Sequence, residues 1–329
     1  NQVSREAVYG WFARWFKGAQ DYTPIKERSS NIPTIPEMLV FSGQSRPGNE
    51  LNEQSLAASL IERAKTQLRG SLPRNSGELS NFKDTYGRAL SYSLMAYQPI
   101  SSELEIRRNS QTIAISRHGK SDLVTLGRSG REDGPLALLV RRAGDSTASP
   151  QAAMLVAKGF DLYELVPFEG HSNLDEINRI DFFETYNRSD SANRVQDILT
   201  AIAFLSSQKG SRKLSVIGSG SVGLEALVAR GLARGVDLLV ADTNRFDNTR
   251  DDDFLAGFKV PGFRRAGDFL TSVMIAENTP LLLQNTGGRF DTREIAEGLG
   301  RINKSTVLKV EPGLLSPEDV VAWLMKYVR

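Results

Sequence analysis

From residue 136 onward, short apolar runs alternate with stretches of helical length, and this alternation constrains the fold more than any other feature. The runs are Leu136 to Val140, Leu162 to Val166, Leu214 to Ile217, Asp237 to Ala241, Pro280 to Leu283 and Thr306 to Val310. Runs this short and this apolar predict strands buried on both faces. A helix between successive strands returns the chain to the same edge, so the strands pair in parallel. The pattern therefore predicts an α/β fold: a mostly parallel, doubly wound sheet with helices on both faces. Ser149-Pro150 predicts a helix start, with Pro at the first helical position, and Gly159 its end. Over 192–206, Val195, Ile198, Leu199, Ile202 and Leu205 form one apolar face. The last helix begins at Ser316-Pro317-Glu318-Asp319. Ahead of these units, 103–108, 111–117 and 122–128 read as strands forming an antiparallel entrance to the sheet.

The N-terminal part follows other rules. Val3, Ala7, Val8, Trp11, Phe12, Trp15 and Phe16 recur at helical spacing, and Gly18 ends the pattern. A stripe with two Trp and two Phe is too apolar to be left in water, so this helix needs a surface to pack on. Residues 21–50, with Pro24, Pro33, Pro36 and Pro47, read as an extended strap, and Gln54 to Leu68 as a second amphipathic helix. The Gly, Ser, Pro and Asn content of 70–85 predicts a linker.

Composition narrows the function classes. The chain has 329 residues, with 41 Lys and Arg against 39 Asp and Glu, a net charge of +2. Nothing in that balance predicts nucleic acid or anionic lipid as a partner. The absence of cysteine excludes disulfides, thiolate metal sites and a Cys nucleophile, and two histidines, His118 and His171, leave little for a His-rich metal site. No apolar run approaches the ~20 residues of a membrane span. The chain starts with Asn and shows no basic-then-apolar leader, and so reads as a processed product or as starting inside something longer.

The turn Gly218-Ser219-Gly220-Ser221-Val222-Gly223 follows a strand and opens a helix, and it supports three readings. As a dinucleotide site, Gly218-x-Gly220-x-x-Gly223 matches the fingerprint, and Asp242, ending the next strand, suits a ribose-binding carboxylate. Such a turn normally follows the first strand of its domain, whereas several strands precede it here. As a nucleophile elbow of an α/β-hydrolase its position is right. Its residues are not: in Gly-x-Ser-x-Gly register the nucleophile position is Gly220, which has no side chain. Moving the register by one makes Ser221 the candidate nucleophile, with Ser219 where the first glycine belongs. Asp291, after the Leu281 to Leu283 run, is the candidate acid. The segment after the last strand, Glu311-Pro312-Gly313-Leu314-Leu315, has no histidine to act as base. The third reading, favoured by these residues, is structural: glycines that let helix and strand pack closely in a catalytically empty, vestigial elbow.

His118 sits in a predicted turn, where an exposed residue is expected. His171 follows a strand at its C-terminal end, where α/β sheets place functional groups, and is the candidate base. Asp251-Asp252-Asp253 reads as a helix N-terminus rather than a cation site.

Three stretches carry a resemblance to a known family. They are Ser4-Arg5-Glu6-Ala7-Val8-Tyr9 through Trp15 with Pro24-Ile25-Lys26-Glu27 and Leu39-Val40-Phe41; Asn187-Arg188-Ser189-Asp190 with Asn193-Arg194-Val195-Gln196-Asp197; and Asp242 through Phe254 and Pro261-Gly262 to Leu281-Leu282-Leu283. Together they resemble the bacterial α/β-hydrolases described as acetyl xylan esterase-like or dipeptidyl-peptidase-like, many with two hydrolase units in one chain. The resemblance implies that residues 1–80 are the last helix, strap and linker of an upstream catalytic unit. Residues 81–329 would then be a second hydrolase-like domain with a degenerate site. It further implies a carbohydrate-ester or peptide substrate and a periplasmic or extracellular location, and it calls for no cofactor and no metal.

Overall fold

A computed structural model describes residues 1–120, 123–146, 148–170 and 179–328. The chain divides into two units, residues 1–58 and residues 59–329.

In the larger unit the apolar runs form one nine-stranded sheet. Its strands are β1 Leu104–Arg108, β2 Thr112–Arg117, β3 Leu123–Gly130, β4 Leu136–Val140, β5 Asp161–Leu165, β6 Leu214–Gly218, β7 Leu238–Asp242, β8 Leu281–Gln284 and β9 Leu308–Val310. The spatial order is β1-β2-β3-β5-β4-β6-β7-β8-β9. β1, β2, β3 and β5 pair antiparallel in that succession, and every later pairing is parallel. This is the mostly parallel sheet with an antiparallel entrance that the run pattern predicts.

Alternation along each strand divides the core into two layers. Leu136, Leu138 and Val140 share one layer with residues of the Asp190–Gln208, Gly223–Leu232 and Asp268–Ile275 helices. Ala137 and Leu139 face the other, against the Ala148–Ala157 and Pro317–Val328 helices. The chain steps from β4 sideways to β5, then passes back across β4 to β6. That reversal places a crevice between the C-terminal ends of β4 and β6, where such sheets bind ligands.

Two local expectations are corrected. The 70–85 stretch is not a linker: it holds the Leu79–Phe82 helix and the start of a π-turn, Lys83–Gly87, and Leu72, Leu79 and Phe82 lie in the core. Apolar residues at helical spacing outweigh the Gly and Ser between them. The helix expected to open at Ser149-Pro150 already includes Ala148.

In the smaller unit, the Gln2–Phe16 helix is capped by the Asn1 side chain, which accepts from the Ser4 N–H. Gly10 and Ala13 are buried; a Cβ on Gly10 would lie 2.5 Å from the Thr23 carbonyl oxygen, so only glycine admits the strap this closely. Arg5 bonds Glu27 at 2.6 Å, and the Tyr9 hydroxyl donates to the same carboxylate at 3.0 Å. The strap includes one short helix, Ile35–Met38. On the aromatic stripe Trp11 is 49% exposed, Trp15 61% and Phe16 75%. No helix among the described residues is long and apolar enough to cross a membrane.

Candidate functional site

β6 delivers the glycine turn to the C-terminal edge of the sheet. Ser219 is extended, Gly220 takes φ +57°, a short 3-10 turn runs Gly220–Val222, and the Gly223–Leu232 helix follows. The outer glycines are packing devices. A Cβ on Gly218 would lie 2.7 Å from both the Ala226 Cβ and the Gly223 Cα, and one on Gly223 would run into the Asp242 carbonyl. Gly220 differs: the nearest atom to a Cβ there is the Asp145 carboxylate, at an ordinary 3.4 Å. The one left-handed residue of this sharp turn is Gly220, which carries no side-chain functional group.

Asp145, in the segment after β4, accepts a hydrogen bond from the Ser219 hydroxyl at 3.0 Å across the crevice. Ser221 is exposed, and its hydroxyl has no hydrogen-bond partner among the described residues. Asp242 is 4% exposed and accepts from the Gly220 N–H at 3.1 Å, the Asn244 N–H at 2.8 Å and the Asn285 side chain at 2.9 Å. Burial pushes its pKa up and the Asp145 charge adds to that, while the three donors oppose it. The residues of the dinucleotide alternative, Gly218, Gly220, Gly223 and Asp242, thus do come together. The carboxylate, however, is engaged with the turn itself, where a ribose diol would need it free.

Asp291 lies elsewhere in its hydrogen bonding. Arg293 clamps its carboxylate, with bonds of 2.6 to 3.0 Å, and holds its pKa below the usual range; no hydrogen bond links it to Ser221. The segment after β9 is zipped to that after β8: Asn285 N–H donates to the Gly313 carbonyl and Gly287 N–H to the Pro312 carbonyl, each at 2.9 Å. Where triad order would place a histidine, the backbone is tied down by Pro312 and Gly313. His118 is an exposed residue after β2, paired with Glu105 at 2.7 Å. His171 lies outside the described residues. Asp251, Asp252 and Asp253 occupy the first turn of the Asp251–Gly257 helix, with Arg264, Arg250 and Arg289 as their respective partners. Among the described residues no group of three or more His, Cys, Asp or Glu could hold a metal ion.

Sequence reasoning did not single out Asp145 or Glu169. The Glu169 carboxylate accepts from the Ala143 N–H at 3.1 Å, and its carbonyl accepts from Arg142 at 2.9 Å, joining the segments after β4 and β5. The usable signal is their position just past buried strands; which strands are neighbours depends on the β5-β4-β6 order.

No family model matches the sequence, and no curated protein matches it. Solved structures do. A glucuronoyl esterase from Solibacter usitatus superposes with a TM-score of 0.53 at 9% identity, over 77% of this chain and 93% of its own. A candidate acetyl xylan esterase from Bacteroides fragilis gives 0.52 at 13% identity, over 84% and 97%. A methylesterase gives 0.50 at 12% identity, over 82% and 67%. The chain is similar to these proteins in fold, and that fold is the α/β-hydrolase fold.

Proposed function

We propose that this chain is the C-terminal part of an esterase-type serine hydrolase and that its own sheet-edge site is non-catalytic. The observation that carries the reading is Gly220: an intact left-handed elbow at the end of β6 with no nucleophile at its apex. The engaged Asp291 and the histidine-free segment after β9 support it. Ser221 stands one residue past the apex, and an unassisted hydroxyl is a weak nucleophile near neutral pH.

The role of the larger unit is then to buttress an upstream catalytic unit or to shape its substrate cleft. The N-terminal helix and strap, within the expected 1–80 segment, belong to that upstream unit, and the exposed aromatic stripe is the face that packs on it. A carbohydrate-ester or peptide substrate and a periplasmic or extracellular location go with this reading. The test is hydrolysis of short-chain aryl acetates by the purified chain and by Ser221→Ala. Both are expected to match the uncatalysed rate. Turnover lost on Ser221→Ala would replace this reading with an active carboxylesterase using Ser221.

A further inference from the structure

Phe168, just past β5, is held at the sheet edge by two side chains of the Asp190–Gln208 helix. Its N–H donates to the Asp197 carboxylate at 2.8 Å, and its carbonyl accepts from Arg194 at 2.9 Å. Arg194 is in turn paired with the buried Glu225 at 3.2 Å, in the first turn of the helix that follows the elbow. The next residue, Glu169, ties the same segment to Arg142 and Ala143 after β4. From there Asp145 reaches the elbow through Ser219. One chain of polar contacts thus links the ends of β5, β4 and β6, and carboxylates supply most of its acceptors.

We propose that Asp197 is a proton-operated latch: its carboxylate holds the Phe168 backbone at the sheet edge at neutral pH and releases the Phe168 N–H in mild acid. The surroundings allow this. Asp197 is faced by Arg117 at the end of β2 and by Arg188 ahead of its own helix. The Arg117 guanidinium lies 5.4 Å from the Tyr97 ring, and Arg194 and Asp190 share the Asp197 helix. Burial outweighs the pull of the arginines and the Phe168 bond, and lifts the Asp197 pKa to about 6. A neutral carboxyl accepts a weaker hydrogen bond than a carboxylate, while Arg194 keeps its charge and its grip on the Phe168 carbonyl. The change is therefore local to the Phe168 N–H: its bond to Asp197 weakens while the Arg194 bond to its carbonyl stays. The latch stands whether or not the elbow is catalytic.

The sign of the pH effect separates this from acid unfolding. The folded chain binds the Asp197 proton more tightly than the unfolded chain does, because its pKa is raised from the ordinary 3.8. Protonation through this group therefore stabilises the fold as pH falls from about 6 toward 4, while the local bond weakens. The experiment is amide hydrogen exchange of the full chain at pH 7.5 and 5.0, corrected for intrinsic rates, with Tm measured alongside. Phe168 protection is expected to fall about tenfold at pH 5.0. In Asp197→Asn it is expected to be the same at both values, and the wild type should gain Tm relative to that variant as pH falls. Equal Phe168 protection at both pH values in the wild type overturns the latch. So does a pH response that persists in Asp197→Asn. If that variant fails to fold, the carboxyl carbon shift of Asp197 in the wild type decides: an inflection near pH 6 supports the latch, and none between 5 and 7 overturns it.

Discussion

Gly220 fixes what the turn at the end of β6 can do. Its φ of +57° is strained for any residue with a Cβ, yet the space beside it is open to one, with Asp145 as the nearest neighbour. Gly220→Ser should therefore fold, at a cost of roughly 1–2 kcal/mol from the left-handed backbone, measurable as a lowered midpoint in urea. It should gain no esterase activity, because the new hydroxyl would meet the Asp145 carboxylate and no imidazole among the described residues. A gain in ester turnover would show that a base already stands at the elbow. Gly218 and Gly223 belong to a different class: their neighbours are backbone and a short side chain, which cannot give way. That Gly218 and Gly223 let helix and strand pack closely was legible in the sequence. The role of Asp242 was legible only in part, because its spacing suits a ribose ligand while its actual partners are the Gly220 N–H, Asn244 and Asn285.

At the scale of elements, the stretch around residues 72–94 shows how composition can mislead. Ser, Gly, Pro and Asn mark 70–85 as a linker, but Leu79, Phe82, Tyr86 and Leu90 repeat at helical spacing and are buried. Phe82 is 2% exposed and stacks on Tyr86 at 5.0 Å. Phe82→Ala should destabilise the larger unit by about 3–5 kcal/mol in chemical denaturation, the range for a buried aromatic. A change below about 0.5 kcal/mol, as at an exposed linker position, would contradict the packed assignment. The central strands were far more legible than this segment, since runs such as Leu136 to Val140 leave a buried strand little alternative. The sheet order was not legible, because nothing local says that β5 lies outside β4. For that reason Asp145 and Ser219, 74 residues apart, could not be paired from the sequence.

For the whole molecule, a hydrolase-type sheet with its elbow, crossovers and two-layered core in place lacks an assembled triad among the described residues. The elements keep their shape because the glycines, Asp242 and the zipped segments after β8 and β9 serve packing as well as they would serve chemistry. A site is a small set of side chains carried by a scaffold with its own stability, so the fold alone does not decide the chemistry. Within the smaller unit, Trp11, Trp15 and Phe16 of the first helix are left largely uncovered by its own strap. We propose that the elbow is chemically silent, and the intact mass of the purified chain after treatment with a fluorophosphonate tests this. The mass is expected to be unchanged; a single stoichiometric adduct mapping to Ser221 would contradict the account.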